Sequence, residues 1–573
     1  MSDDLDAPFD RAAMLQRLQT EHFDVLVVGG GITGVYVALD AASRGLQTAL
    51  VERDDFASGT SSKSSKLVHG GLRYLQQGEV RLVYEALRER QRLRTNAPHL
   101  VGVMPFMIPI LGKPGAGQDT KSVVSRKIAR ALGSAMWMYD LTGGWRIGKL
   151  HRRLRAEAAL AHMPTMPADR VLAAYLYYDA AVDDARLVLT VARTAAAHGA
   201  AVANGCRVVD LTHDDSGRVT GVVAEADGRQ LTVRARVVVN AAGVWSDEVR
   251  TLDEGVDPDG IRPAKGVHLT VPWSKVRNDI AVVIPVPKDK RSLFVVPWGP
   301  NGDGTFRHTY VGTTDTDYQG PLDAPQCTVD DIAYVLRALN ASVDPAVSGG
   351  ITVDDVTGVW AGLRPLVKSA ESGRTADLSR RHQITRSARG VVTVTGGKLT
   401  TSREMAEDTV DEVLDLLGRR ARCRTGRLKL LGAVRPDRGS DQVQRDLVAR
   451  HGALASAVRR LADGDPSLLE PLVPGLPYRR VEAVWAVTHE MARTLDDVLS
   501  RRTRARLLDR RATVAAADEV ARLIAPHLGW DDAEVARQVQ VFRADCADEA
   551  AAGDVSEAEY LASVQPSPTD PST

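Results

Sequence analysis

Asp24-Val25-Leu26-Val27-Val28-Gly29-Gly30-Gly31-Ile32-Thr33-Gly34, then an amphipathic stretch, then Thr48-Ala49-Leu50-Val51-Glu52: the reading of this 573-residue chain turns on these residues. An unbroken apolar run suits a strand buried on both faces, and the glycines fall where that strand must turn into a helix. Gly29 permits the tight turn, Gly31 lets backbone approach a pyrophosphate, and Gly34 lets the helix lie close to the strand. The helix N-terminus then faces the ligand with unpaired N–H groups, and Glu52 ends the second strand where it can accept hydrogen bonds from a ribose. The pattern predicts a dinucleotide-binding βαβ unit without saying which dinucleotide.

The chain is too long for one compact core, and its length predicts two to four units. Hydrophobic residues at 44% and charged residues at 25% are ordinary for a globular protein. Lys plus Arg and Asp plus Glu are equal at 73 each, so charge gives no argument for nucleic acid, and none is expected as a partner. Cys206, Cys327, Cys423 and Cys546 are far apart with no C-x-x-C pair, so neither a metal site nor a disulfide framework is expected. Buried free thiols fit a reducing cytoplasm. The N-terminus carries Asp3, Asp4, Asp6 and Asp10 with no apolar h-region, and no run is apolar enough to span a membrane. A homodimer is allowed but not specified.

After the βαβ unit comes Ser61-Ser62-Lys63-Ser64-Ser65-Lys66-Leu67-Val68-His69-Gly70-Gly71-Leu72-Arg73-Tyr74. Composition alone reads as a flexible linker. Two lysines, a histidine and Gly-Gly directly after the nucleotide motif argue instead for a loop lining the ligand. This run closely resembles the signature of the FAD-dependent, quinone-linked glycerol-3-phosphate dehydrogenases. The resemblance continues in Val182 to Leu189, Val239 to Trp245, Lys265 to His268, Val311 to Asp315, Gly362 to Leu366 and Gly396 to Thr401, and covers roughly residues 22 to 410.

The resemblance implies an α/β (α+β overall) protein with non-covalent FAD. A Rossmann-like FAD-binding domain of the glutathione-reductase/D-amino-acid-oxidase type is expected over 22–98, 171–260 and 350–424. A mainly antiparallel substrate-binding or cap domain takes 99–170 and 261–349, and a helical C-terminal domain takes 425–562. Residues 1–21 are expected as a mobile N-terminus and 563–573 as a disordered tail. Cofactor contacts are implied at Gly29, Gly30, Gly31, Ile32, Thr33, Gly34, Glu52, Arg53, Thr60, Ser61, Ser62, Ser64, Ser65, Leu67, His69, Gly70, Gly71, Val208, Ala242, Gly243, Trp245, Gly397, Lys398, Leu399 and Thr400.

Element patterns run along the chain. Helices are predicted at Arg11 to Leu18, at Val80 to Leu93 with Val80, Val83, Tyr84 and Leu87 on one face, at Ala185 to His198, Val329 to Asn340, Ser402 to Leu417, Val481 to Leu499 and Ala515 to Ala525. Strands are predicted at 101–111, Val171 to Tyr178, Ala200 to Leu211, Arg218 to Ala226 and Leu231 to Asn240, with a hairpin between Phe294–Trp298 and Thr309–Gly312. In the segment 121–155, Lys121, Arg126, Lys127, Arg130, Arg146, Lys149, Arg152, Arg153 and Arg155 face a single acid, Asp140. Val124, Ile128, Leu132 and Met136 recur every four residues beside them. Such a basic amphipathic segment suits an anionic membrane surface, and equally a helix packed on its own domain. The family's peripheral membrane association favours the first, at the inner face of the cell membrane with a membrane quinone as partner.

A phosphate monoester needs fixed cations, and Arg73, Arg364 and Lys398 are the candidates, with Tyr74 and Thr400 beside them. Oxidising a secondary alcohol needs a base, and His268, with an ordinary pKa of about 6.5, is the candidate. Together with the resemblance these imply hydride transfer from sn-glycerol 3-phosphate to flavin N5, giving dihydroxyacetone phosphate, with His268, Arg364 and Lys398 as catalytic residues. Three other readings stay open: a glycerol-3-phosphate oxidase making peroxide from oxygen, an amine or amino-acid oxidase, and a non-catalytic flavin-containing membrane-surface protein.

Overall fold

The strand His22–Val28 alternates its side chains between two cores, as a period of two requires. Val25 and Val27 join a helical layer formed by Ile32–Ser43, Asp184–Ala197 and Ser402–Leu417, while Leu26 and Val28 pack with Val222, Ala224 and Val233 on the other face. The computed structural model describes residues 9–76, 78–112, 123–287, 289, 291–368, 382–435 and 441–553, without the side chains of Arg73, Gln76 and 123–131.

Among the described residues there are two large sheets. In the first, the order is His382–Arg386, Val392–Gly396, Arg229–Asn240, His22–Val28, Thr48–Val51 and Ala201–Ala203, parallel from Val392–Gly396 onward. Cys206–His213 and Val219–Ala226 extend Arg229–Asn240 as an antiparallel flap. The second sheet is built around Ile261–Pro272, Phe306–Gly312, Ser292–Pro300, Ala281–Pro285, Val101–Leu111 and Val171–Val182, and is antiparallel except where Ala281–Pro285 meets Val101–Leu111. The hairpin predicted between Phe294–Trp298 and Thr309–Gly312 is present. In the C-terminal domain, helices Arg480–His489, Arg510–Leu528 and Asp532–Ala552 pack around Leu495, Leu499, Val520, Ile524 and Phe542, and Gln442–His451 packs in a second core through Leu447 against Val481 and Trp485.

Several expectations are corrected. Segments 171–182 and 358–367, expected with the nucleotide domain, are hydrogen-bonded into the second sheet, against Val101–Leu111 and Ile261–Pro272. The N-terminus is no loose lead-in from residue 9 onward: Leu18 on the helix Arg11–Thr20 is fully buried, and Arg11 donates to the Asn204 and Gly205 carbonyls. Residues 1–8 lie outside the described residues, as does the expected tail 563–573. The strand expected at Ala200 to Leu211 is broken by Gly205 in the left-handed region at φ +56°. The helix expected at Val481 to Leu499 stops at His489, because Met491 takes φ +54° and the chain re-enters as a π-helical turn, Asp497–Arg502. On the helix Val80–Asn96 the buried face carries Leu82, Val83, Ala86 and Leu87, and Val80 and Tyr84 point to solvent.

The helix Val123–Leu141 also corrects a reading. Met136 is fully buried and Leu132 packs beside it, so the described half of the four-residue stripe faces the protein. Val124, Ile128 and the basic residues Lys121, Arg126, Lys127 and Arg130 fall outside the described side chains. Different apolar groups, Trp137, Met138, Leu141, Trp145 and Leu150, are exposed beside Lys149, Arg152, Arg153 and Arg155.

Candidate active site

The glycine turn encloses the mouth of a cavity of about 380 Å³. Gly29 lies at φ +112°, and a Cβ on Gly34 would sit 1.9 Å from the Gly29 carbonyl oxygen, so helix and strand touch only because both are glycine. Glu52 accepts hydrogen bonds from Gly30 N at 2.6 Å and Asp54 N at 2.9 Å. Its burial outweighs those bonds and pushes the carboxyl up to about 7. Of the expected cofactor contacts, Gly29, Gly31, Ile32, Thr33, Glu52, Arg53, Thr60, Ser61, Val208, Ala242, Gly243, Trp245, Gly397, Lys398 and Leu399 line the cavity. Gly30 and Gly34 shape it from behind. Asp54, Ser58, Gly59, Arg207 and Glu248 also line it and carry no sequence signal of their own. The structure alone shows why Gly59 is glycine: a Cβ there would lie 2.8 Å from the Trp245 ring.

The Ser-rich run is fixed at almost every step. Ser61 Oγ accepts from Ile32 N (2.9 Å) at the start of the nucleotide helix, and the Lys63 carbonyl fits against Gly362, where a Cβ would meet it at 2.6 Å. Ser64 bonds Asp184, Ser65 Oγ lies 2.9 Å from His268 Nε2, and the Ser64 and Ser65 carbonyls accept from Trp360 Nε1 and Tyr310 Oη. The His69 carbonyl accepts from Thr400 Oγ1 at 3.4 Å, and Gly70 N donates to Tyr139 Oη and Asp179. Ser62, Ser64, Ser65, Leu67, His69, Gly70, Gly71 and Thr400 thus lie off the cavity wall, positioning the loop beneath it.

His268 is buried and its ring stacks on Trp360 at 4.8 Å and 9°. Gly312, opposite it on the neighbouring strand, leaves room: a Cβ there would be 2.2 Å from His268 Cδ2. Burial first, then the Lys66 and Arg364 charges, hold its pKa well below the ordinary value, so the expectation of a group titrating near 6.5 is corrected to a persistently neutral imidazole. Arg364 is oriented by Asp315 Oδ1 (3.2 Å), Thr313 Oγ1 (3.2 Å) and the Thr314 carbonyl (3.1 Å). Lys398 Nζ sits 3.6 Å from the centre of the Tyr74 ring. Arg73 lies on the short helix Leu72–Gln76, one residue from Tyr74, with its side chain outside the described set. One loop, Ser61–Gly71, thus runs from the dinucleotide cavity to the neutral His268 imidazole and to Tyr74, whose ring Lys398 covers.

Residues 24–412 match the family model described as FAD dependent oxidoreductase, and residues 423–535 match the C-terminal domain of alpha-glycerophosphate oxidase. The chain is 40% identical to "Glycerol-3-phosphate dehydrogenase 2" of Mycobacterium tuberculosis, over 98% of this chain and 92% of that protein. It is similar to the crystal structure of glycerol-3-phosphate dehydrogenase from Bacillus halodurans complexed with FAD, with TM-score 0.74 and 30% identity, covering 94% of this chain and 97% of that one. L-alpha-glycerophosphate oxidase from Mycoplasma pneumoniae shares the fold at TM-score 0.52 and 17% identity over 72% of this chain and 99% of that one.

Fold and cavity together define a flavoprotein oxidoreductase of the D-amino-acid-oxidase type, and its cofactor is FAD. The glycine cradle at Gly29–Gly34 and the buried Glu52 acceptor fit the pyrophosphate and ribose of that group. More narrowly, the chain belongs to the FAD-dependent glycerol-3-phosphate dehydrogenase family.

Proposed function

We propose that this protein oxidises sn-glycerol 3-phosphate to dihydroxyacetone phosphate and passes the electrons to a membrane quinone. One observation carries the reading: the Ser61–Gly71 loop, which starts on the cavity wall at Ser61, meets the buried, neutral His268 through Ser65 and packs at Gly71 against Tyr74, whose ring lies under Lys398, while its Lys63 carbonyl fits against Gly362, two residues before Arg364. FAD, when bound, supplies the hydride acceptor at N5 and the route by which electrons leave. Arg364, Lys398, Arg73 and Tyr74 hold the phosphate, charge-assisted hydrogen bonds being the strong ones. His268 takes the C2 hydroxyl proton at Nε2, the nitrogen that meets Ser65 Oγ in the resting site.

The exposed Trp137, Met138, Leu141, Trp145 and Leu150, rimmed by Lys149, Arg152, Arg153 and Arg155, support peripheral contact with an anionic membrane surface. Among the described residues no helix is long and apolar enough to cross a membrane. Oxygen as acceptor is the second reading, favoured by the match of residues 423–535 to a glycerophosphate oxidase domain. The test is anaerobic addition of glycerol 3-phosphate to the purified holoenzyme, followed by reoxidation with either oxygen or a quinone analogue. Bleaching of the flavin and faster reoxidation by quinone are expected. A flavin that stays oxidised removes the substrate assignment, and faster reoxidation by oxygen replaces the acceptor.

A further inference from the structure

The C-terminal domain reaches the oxidation site at Leu507, which packs with Trp360 and Tyr310, and at one buried charge, Arg504. Arg504 is buried to 1% exposure and ion-pairs with both Asp183 (3.0 Å) and Asp184 at the start of the helix Asp184–Ala197. Asp184, with no exposed side-chain surface, is also the anchor of the Ser-rich loop. Its Oδ2 accepts from Ser64 N at 3.1 Å and Ser64 Oγ at 2.7 Å, and Lys66 Nζ lies 3.0 Å from Oδ1. The next residue after Ser64 is Ser65, whose hydroxyl meets His268. Lys66 itself also donates to the Ser62 carbonyl at 2.9 Å and lies 4.9 Å from the centre of the Trp360 ring, the ring on which His268 stacks.

From this geometry we infer that Arg504 is a positioning residue for the oxidation reaction, holding Asp184 so that the Ser64–Lys66 segment presents Ser65 and Lys66 to His268. The inference rests on the proposed glycerol 3-phosphate oxidation. Two acids and two bases, Asp183, Asp184, Lys66 and Arg504, balance in a buried cluster. Taking one cation from such a cluster leaves uncompensated charge that the segment must move to relieve. A displacement of about 1 Å at a reacting group costs on the order of a hundredfold in rate.

The charges that face Lys66 also give a readout that loss of packing alone would not. Asp183 and Asp184 approach it from the helix, Arg504 from the C-terminal domain, His268 and Tyr310 from the second sheet. Burial pushes the Lys66 ammonium down to about 8, Asp184 opposing that shift and Arg504 adding to it. Removing Arg504 therefore raises the pH at which Lys66 loses its proton. Lys66 holds Asp184 and the Ser62 carbonyl as an ammonium, so its deprotonation releases the segment and sets the alkaline limb of flavin reduction, and that limb moves upward with it.

The experiment is anaerobic stopped-flow reduction of the holoenzyme by glycerol 3-phosphate, expressed per bound FAD and followed against pH. Arg504→Met is expected to slow reduction about tenfold or more and to shift the alkaline limb to higher pH, and Arg504→Lys to restore both. Arg504→Gln carries the same expectation as Arg504→Met if the latter fails to fold. Arg186→Met is the control. Arg186 is on the same helix and bonds Glu490 (2.5 Å) and the Arg502 carbonyl across the same domain boundary, without touching the loop. Wild-type rates with an unmoved limb in the neutral Arg504 variant that folds, or equal slowing in Arg186→Met, overturn the inference. A wild-type flavin that glycerol 3-phosphate does not reduce instead removes the reading on which it rests.

Discussion

Stacked on Trp360 and meeting Ser65, His268 is a weak base in a neutral state, and its value lies in being unprotonated whenever substrate arrives. Flavin reduction should therefore show no acidic limb near pH 6.5, since a group held below that range carries no proton to lose there; a single-turnover pH profile reads this directly. His268→Ala should slow reduction by at least about a hundredfold, and near-normal reduction would exclude it as base. Arg364→Ala is expected to raise KM for glycerol 3-phosphate by about tenfold or more with FAD still bound, the loss of one charge-assisted contact. Unchanged steady-state kinetics would remove it from the substrate site. At this scale the sequence was informative about residue type and less so about state. Nothing in Lys265-Gly266-Val267-His268 signals that the Lys66 and Arg364 charges lower the imidazole's pKa, because they come from segments far away in sequence.

The nucleotide turn is an element whose tolerance is set by backbone. Gly34→Ala would drive a Cβ into the Gly29 carbonyl and separate helix from strand. A loss of about 1–3 kcal/mol, typical of overpacking, is expected as a lowered Tm with weaker FAD retention. Equal Tm and FAD content would mean the turn can open without cost. This unit was fully legible, since its strand, turn and helix are local and each obeys its own spacing. The run after it reads as a ligand-lining loop, but its partners do not show: Asp184 looks like an ordinary helix-start acid, and its bonds to Ser64, Lys66 and Arg504 span 120, 118 and 320 residues. The amphipathic segment left two readings open for a related reason. Four-residue spacing identifies an apolar face without saying what covers it, and at Met136 the cover is Tyr139, Tyr175 and their neighbours in the same core.

At the scale of the molecule, among the described residues Trp137, Met138, Leu141, Trp145 and Leu150 are exposed beside the basic stretch Lys149–Arg155. Trp137→Glu and Trp145→Glu, both more than half exposed, should abolish sedimentation with vesicles containing anionic lipid while leaving flavin reduction by glycerol 3-phosphate within about twofold. Undiminished sedimentation would take the membrane away from this face. The same long-range architecture has a consequence in time. Asp55, three residues beyond Glu52, is paired with Arg502 at 2.7 Å across a separation of 447 residues. At a synthesis rate of ~5–20 residues per second, the second partner leaves the ribosome roughly 20–90 s after the first. For that interval the glycine turn and its second strand are synthesised but Asp55 is without its Arg502 partner. A chain stalled between Leu399 and Arg502 would therefore hold every residue of the cavity wall while the buried Asp55 carboxylate still lacked this partner.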